Sequence, residues 1–299
     1  MGTILVGYDT ETAAVGEAIS LFTESPNFPL YAKALDPDTC AEALELLTDV
    51  HTDVGVPATL FVCGRTLLHA LEPVRAAKAT GLFDVQQHTF SHVPFKDIVY
   101  SPEPGLVGTI AASPPEALVE ELAFTSRLIR EHVGHECVGL RTPFGYYRGL
   151  RDRPDLLEIV RQAGLRYITS WGRNEENSNP TPWVQPFAYE EEGYPDILEL
   201  PFQFWLDVVW FDQHGYDTGP ALLEALKGAV DEVAEHDLVY GACFHDWVMI
   251  ASDERRVGWL RGFLGYARER GVEVTTYTDY ATSLQGGSRG MERSSGEVA

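Results

Sequence analysis

The 299-residue sequence has few basic residues, and only four of them are lysines. Its 22 lysines and arginines stand against 45 aspartates and glutamates, which gives a formal net charge of −23. Nucleic acids and anionic membrane surfaces would repel such a chain, so we expect neither as a partner. The acidity alone does not specify which partner the protein has.

Cysteine is scarce, and long apolar runs are missing. The four cysteines, Cys40, Cys63, Cys137 and Cys243, form no CxxC pair, which is typical of reduced, buried thiols in a cytosolic protein. Cys63 and Cys243 lie in apolar, strand-like segments, which favours core packing over chemistry. No apolar run approaches the roughly 20 residues of a membrane span. The N-terminal run Thr3–Val6 is too short for the core of a signal peptide, so we expect a cytoplasmic location.

The sequence contains enough apolar residues, 44%, for a globular protein with a sizeable core. Strand and helix patterns alternate almost from end to end. Strands are predicted at Thr3–Tyr8, Ala58–Cys63, Asp84–Gln87, Val138–Leu140, Tyr167–Ser170, Ile197–Leu200, Val239–Phe244 and Val272–Thr276. Helices are predicted at Asp38–Thr52, 66–80, Pro115–His132, Pro154–Ala163, Pro220–Glu235 and Arg255–Arg270. About seven or eight such repeats indicate parallel strands in a closed or nearly closed α/β barrel.

The barrel pattern predicts a single domain over residues 1–284. The remaining residues, 285–299, are rich in glycine, serine and charge, and we expect a flexible tail there. Three connections, 10–37, 93–114 and 171–196, are long for a regular barrel. Long loops on such a scaffold are usually where a functional site is built.

Titratable residues cluster where predicted strands end. Asp9 and Glu11 follow the first strand, His88 and His92 follow the third, and His245 follows a late one. In a parallel barrel these strand ends open on one face. On a helical turn, two histidines four residues apart could share a metal, and two carboxylates two apart on a strand point to the same side. Either pair alone also fits a structural role, such as a capping or salt-bridged carboxylate pair.

In chain order, four segments resemble the polysaccharide deacetylase family with the NodB homology domain, carbohydrate esterase family 4. The acidic pair comes first, and residues 88–92 read His-Thr-Phe-Ser-His, similar to that family's H-[ST]-x-x-H motif. Residues 141–144 read Arg-Thr-Pro-Phe, similar to its Arg-x-Pro-aromatic motif. A histidine after a late apolar strand, His245, completes the set. The resemblance spans roughly residues 3–280.

This resemblance implies a distorted (β/α)7 barrel with one divalent metal ion, commonly zinc. The ligands would be Glu11, His88 and His92, and Asp9 would match the family's general base. The Asp-x-Glu spacing departs from the commoner adjacent Asp-Asp pair, so Asp9 as a ligand stays an alternative. Sites with two imidazoles and a carboxylate also accept Fe, Co, Mn or Ni.

The resemblance also implies roles around the metal. Arg141 would pair with Asp9, and the backbone N–H of Phe144 would hold the oxyanion. His245 would protonate the leaving amine. The substrate groove would contain Pro143, Phe144, Trp171 and Trp247.

Two features depart from the family pattern. The aspartate that orients the acidic histidine has no clear counterpart after the fifth strand, and Asp246 would point to the opposite face from His245. The stretch Pro94–Pro114 resembles an insertion that could line or cover the substrate cleft.

We therefore expect a metal-dependent hydrolase of an amide bond that removes N-acetyl groups from an amino-sugar-containing substrate. A soluble conjugate, oligosaccharide or glycolipid precursor would suit a cytoplasmic enzyme, and a homo-oligomer is compatible with the sequence. One alternative is an allantoinase-like hydrolase that opens a cyclic amide on the same fold. Another is a catalytically silent carbohydrate-binding domain.

Overall fold

The computed structural model describes residues 2–15, 32–103, 106–215, 217–250 and 255–293. The strands are β1 (Thr3–Thr10), β2 (Ala58–Val62), β3 (Phe83–Gln87), β4 (Ile98–Glu103), β5 (Leu106–Ile110), β6 (Gly139–Tyr146), β7 (Tyr167–Trp171), β8 (Phe187–Tyr189), β9 (Tyr194–Glu199), β10 (Val239–His245) and β11 (Glu273–Thr275). The helices are α1 (Thr39–Val54), α2 (Gly64–His69), α3 (Leu71–Ala79), α4 (Pro115–Leu128), α5 (Pro154–Gln162), α6 (Asp207–His214), α7 (Gly219–His236), α8 (Asp246–Ile250), α9 (Arg255–Glu269) and α10 (Tyr277–Arg293).

The central sheet is mostly parallel. Its order is β10-β1-β2-β3-β6-β7-β9, with β11 beside β1 and β8 antiparallel to β9. Helices cover its outer surface, because strands buried on both faces need a second apolar layer. The predicted α/β architecture in one domain is confirmed.

The circle of strands is completed by the segment that follows β9. The backbone N–H of Gln203 donates to the carbonyl of Gly241 at 2.9 Å, and the Gly241 N–H donates to Gln203 Oε1 at 2.6 Å. A Cβ at Gly241 would lie 2.1 Å from the carbonyl oxygen of Pro201, so only glycine permits this close approach. This irregular closure between β9 and β10 explains why the barrel is distorted.

The sheet separates the two largest apolar clusters of the described residues. The larger lies between strands and helices, and it includes Ile4, Val6 and Tyr8 of β1. The smaller fills the barrel interior and includes Leu5 from the same strand, together with Tyr277 from the start of α10. Side chains alternate between the two faces of a strand, so Leu5, Gly7 and Asp9 share the interior side. This parity directs Asp9 into the barrel mouth.

Several elements differ from the predicted pattern. The insertion contains an antiparallel hairpin of β4 and β5, and α6 and α8 were not predicted. The backbone is helical from 285 to 293 as part of α10, whereas the sequence predicts a flexible tail from 285. Buried Tyr277 and Ala281 anchor the first turns of that helix, and extending an anchored helix requires no new nucleation. Residues 294–299 lie outside the described residues.

Within the ranges that the structure describes, no helix has both the length and the apolar character that a bilayer span requires.

Candidate active site

The three predicted clusters converge at the carboxyl ends of the parallel strands. Asp9 lies beside His245 in the register of β1 and β10, and His88 directly follows β3. Glu11 follows β1 immediately, so its side chain reaches the same mouth. The structure therefore brings together the carboxylates and imidazoles that the sequence places at strand ends.

Glu11, His88 and His92 form a compact group, here called the ligand group. Glu11 Oε2 lies 2.9 Å from His92 Nε2 and 3.2 Å from His88 Nε2. The two histidines do not lie on a helical turn, because Thr89 and His92 have φ angles of 63° and 56°. A non-helical loop with left-handed residues instead folds His92 back over His88. Their ring centroids are 5.1 Å apart.

The chemistry of the ligand group fits a divalent metal. His88 Nδ1 lies 2.8 Å from the carbonyl oxygen of Arg141, and a carbonyl only accepts, so this nitrogen carries the proton. The Nε2 lone pair of a neutral His88 then faces Glu11 Oε2, which is also an acceptor. A cation between these atoms would remove the repulsion. Metal-binding histidines commonly donate their other N–H to a carbonyl or carboxylate in this way.

Glu11 is held from both sides. The indole N–H of Trp247 donates to Glu11 Oε1 at 2.9 Å, and the Asp246 carboxylate accepts from the Glu11 backbone N–H at 3.3 Å. Burial would raise the pKa of Glu11, but the neighbouring imidazoles, that of His92 first, hold it well below its usual range. Trp247 was predicted to line the substrate groove. Its side chain is buried, at 3% exposure, and its indole contacts Glu11; its place in a substrate groove stays a prediction.

Asp9 forms the predicted pair with Arg141. Arg141 Nη1 donates to Asp9 Oδ1 at 3.0 Å, and Nη2 donates to Tyr277 Oη at 2.8 Å. The guanidinium is fully buried and lies over the rings of Phe61 and Tyr277. A Cβ at Gly7 would meet Arg141 Nη2 at 2.7 Å, so glycine makes room for it. Burial opposes the charge of Arg141, but Asp9 keeps its pKa above the usual range.

The second carboxylate oxygen of Asp9 faces the mouth. Asp9 Oδ2 lies 3.7 Å from His88 Nε2 and 4.0 Å from His245 Nε2. Glu11 Oε2 lies within 3.2 Å of the Nε2 atoms of both His88 and His92. The nearest imidazole nitrogen to Asp9 Oδ2 is 3.7 Å away. The geometry therefore favours Glu11 as the ligand and leaves Asp9 Oδ2 facing the space between the ligand group and His245.

The partner of His245 is Asp207, which the sequence reasoning missed. Asp207 Oδ1 lies 2.6 Å from His245 Nδ1, and Asp207 Oδ2 accepts the His245 backbone N–H at 2.9 Å. Burial would lower the pKa of His245, but Asp207 raises it to about 10. Asp207 is the first residue of α6, which follows β9. Its position after a predicted strand was the only feature of the sequence that could have indicated a role at the site. Asp246 takes no part in this contact, as its predicted direction implied.

Phe144 and Pro143 lie in the irregular part of β6. Phe144 has a φ of 71°, a conformation that costs about 1–3 kcal/mol in a non-glycine residue and often marks a functional position. Its ring centroid is 4.9 Å from that of His92, and its carbonyl accepts from Arg173 Nε at 3.1 Å. Pro143 is buried beside it. This geometry places Phe144 next to the ligand group.

Trp171 ends β7, and its ring packs edge-to-face on Tyr147 and Phe187. Its predicted place in a substrate groove stays a prediction. A cavity of about 170 Å³ lies beside His92 and is lined in part by Arg65, Ser91, Pro94, Ile110 and Phe144. Pro94 and Ile110 belong to the predicted insertion, so the base of the insertion lines this cavity.

Glu121 of α4 holds the loop that carries the histidines. Its Oε2 accepts the backbone N–H groups of Phe90 and Ser91 at 2.8 and 2.7 Å. Both residues lie between His88 and His92, so this carboxylate fixes the loop in its strained shape. Sequence reasoning missed it, since Glu121 is one of several acidic residues on a helix.

Glu121→Ala should weaken metal binding about 10–100-fold, because outer partners of metal ligands have effects of that size. The measurement is competition with a chelator at fixed pH. Glu120→Ala, an exposed neighbour on the same helix, is the matched control and should bind metal as the wild type does. Equal affinity in both variants would contradict the positioning role of Glu121.

Together, the parallel barrel and the strand-end carboxylates and histidines resemble the NodB-like deacetylase class. The polysaccharide deacetylase family model matches residues 35–168 of this chain. The resemblance stated from the sequence motifs is thereby confirmed. No curated protein matches the sequence at a significant level.

Solved structures share the fold at low sequence identity. A candidate polysaccharide deacetylase from Mycobacterium smegmatis is 16% identical, with a TM-score of 0.66 over 96% of this chain and 91% of that one. PuuE allantoinase is 17% identical, with a TM-score of 0.63 over 94% and 88%. A candidate polysaccharide deacetylase from Pseudomonas aeruginosa PAO1 is 17% identical, with a TM-score of 0.62 over 94% and 89%. These likenesses confirm the distorted (β/α)7 barrel.

Proposed function

We propose that this protein is a metal-dependent amide hydrolase that removes N-acetyl groups from an amino-sugar-containing substrate. The observation that carries the proposal is the ligand group, with the free oxygen of Asp9 on one side and His245 behind it. The family match supports a deacetylase or amide hydrolase in general. The amino-sugar substrate and zinc as the metal are our own inferences.

The chain's own residues supply the acid–base steps. A metal bound by Glu11, His88 and His92 would polarise the amide carbonyl and lower the pKa of a water molecule. Asp9 takes the proton of the attacking water, and Arg141 helps to keep Asp9 ionised. The backbone N–H of Phe144 stabilises the oxyanion. His245 donates a proton to the amine nitrogen, which cannot leave as an anion at neutral pH.

The cavity beside His92 favours one alternative. At about 170 Å³ it suits a small substrate better than a long sugar chain, which is compatible with opening of a cyclic amide. PuuE allantoinase shares the fold. A silent carbohydrate-binding domain is disfavoured, because the ligand group, Asp9 and His245 are all in place.

Metal content and acetate release, measured together on the purified protein, test the proposal. The substrates are N-acetylated amino sugars, short chito-oligomers and cyclic ureides, with His88→Ala as the blank. We expect near-stoichiometric metal and acetate release by the wild type alone. Ring opening without acetate would replace the deacetylase proposal with the cyclic-amide one. Protein that neither contains nor recruits metal would contradict the ligand assignment.

A further inference from the structure

A buried thiol lies directly beneath the free oxygen of Asp9. Cys243 and His245 are two residues apart on β10, so their side chains point to the same interior side. Cys243 Sγ donates to Asp9 Oδ2 over 3.6 Å, and His245 Nε2 lies 4.0 Å from the same oxygen. One possible ligand atom from each of the three side chains lies within 4.8 Å of the other two.

We propose that Asp9, Cys243 and His245 form a second metal site, selective for thiophilic ions such as zinc or cadmium, whose occupation blocks the enzyme. This inhibitory role depends on the proposed function, whereas the binding of the second ion does not. The sequence indicated only a packing role for Cys243.

The spacing matches a tetrahedral zinc site with little rearrangement. With Zn–S bonds of about 2.3 Å and Zn–N and Zn–O bonds of about 2.0–2.1 Å, neighbouring ligand atoms lie about 3.3–3.6 Å apart. The sulfur–oxygen distance already has this value, and the nitrogen–oxygen distance of 4.0 Å exceeds the spacing of about 3.3 Å for that pair by about 0.7 Å. Shifts of that size are within the reach of side-chain torsions.

Asp9, Cys243 and His245 each point one possible metal-ligand atom into the space between them. Asp207 engages His245 Nδ1, which leaves Nε2 as the only ring atom available to an ion. Arg141 engages Asp9 Oδ1, so Oδ2 accepts only the weak contact from the Cys243 thiol that an ion would replace. Cysteine sulfur then supplies the soft ligand that selects zinc or cadmium over magnesium or calcium. On binding, the metal replaces the thiol proton and any proton on His245 Nε2, and these protons pass to solvent.

The nearby positive charge should give this second site a lower metal affinity than the ligand group has. Its position among the proton-transferring atoms should make a bound ion inhibitory. The guanidinium of Arg141 lies against Asp9 and opposes a further cation. An ion bound at Asp9 Oδ2 and His245 Nε2 would occupy the two atoms that transfer protons in the proposed mechanism. The second site should therefore fill only at excess metal, and activity should fall as it does.

The test compares wild-type protein with Cys243→Ser, which keeps a small hydrogen-bond donor beside Asp9 but removes the soft ligand. Cobalt(II) is titrated into metal-free protein, and the near-ultraviolet sulfur-to-cobalt charge-transfer band is recorded. We expect the band to appear with the second equivalent in the wild type and to be absent in the variant. Cys137→Ser, which removes a buried thiol remote from the ligand group, should keep the band.

Zinc inhibition supplies a second readout. Loss of an outer partner already weakens metal affinity about 10–100-fold, so loss of Sγ itself should raise the half-inhibitory zinc concentration by about 100-fold or more. A wild-type protein that binds one cobalt without a sulfur band would overturn the proposal, even if the variant fails to fold. A sulfur band in a protein without hydrolase activity would keep the second site and reject the proposed function.

Discussion

Asp9→Asn should lower turnover by about 10²–10⁴-fold, the usual contribution of a general base, while the protein still binds its metal. Asparagine keeps an oxygen that can accept from Arg141 Nη1, but it cannot take a proton from water. Glu11, His88 and His92 are unchanged, so the ligand group should stay intact. The measurements are single-substrate kinetics and metal content on the same preparation.

Glu11→Gln is the matched variant, because it neutralises the other carboxylate of the Asp-x-Glu pair. It removes the charge that lies 2.9 and 3.2 Å from the two imidazole nitrogens. We expect metal loss first and activity loss as its consequence, with partial recovery when metal is added. If Asp9→Asn loses metal and Glu11→Gln retains it, Asp9 is the ligand and the assigned roles are reversed.

Thermal unfolding checks that the effect of Asp9→Asn is chemical. Removing one charge of a buried ion pair commonly costs about 3–5 kcal/mol, because the remaining charge is left uncompensated. Arg141 keeps its hydrogen bond to Tyr277 and its aromatic neighbours. A lower melting temperature with a folded protein and bound metal is therefore expected, and activity should be measured well below that temperature.

The residues that could be predicted from sequence are those at the ends of regular strands. Asp9, His88 and His245 each follow an apolar run, and parallel strands bring such ends to one face. Arg141 could be identified only through its motif, since nothing in the apolar pattern of β6 marks a buried cation. For Asp9, His88 and His245, the local sequence pattern and the strand topology are sufficient, and the prediction needs no long-range contact.

The residues that sequence reasoning missed reach the site through irregular structure. Asp207 arrives on a short helix after the segment that closes the barrel, where no periodic pattern fixes the backbone. Trp247 turns towards Glu11 because β10 passes directly into α8. The left-handed conformations of Thr89 and His92 are stabilised by tertiary contacts such as that of Glu121, so the shape of this loop could not be predicted from the spacing of the two histidines.

Asp207→Asn should reduce activity at neutral pH and move its alkaline limit to lower pH. A general acid must be protonated, so activity falls as the pH rises through the pKa of His245. Burial alone lowers that pKa, and the charge and hydrogen bond of Asp207, together with the charges of Glu11 and Asp9, raise it to about 10. Without the Asp207 carboxylate the strongest effect that opposes burial is lost, and the imidazole loses its proton at a lower pH.

The experiment is a pH profile of kcat/KM for wild type and Asp207→Asn, with exposed Asp196→Asn as the control. The wild type should stay active into the alkaline range, because the pKa of His245 is raised, and the control should follow it. In Asp207→Asn we expect a loss of about 10²-fold or more at neutral pH, the lower range for general acid–base catalysis, with partial recovery in mildly acidic buffer. A uniform loss at every pH would mean that Asp207 only orients the ring. An unchanged profile would show that His245 is not the proton donor, because a buried imidazole cannot lose the carboxylate bonded to its Nδ1 without a change in its pKa.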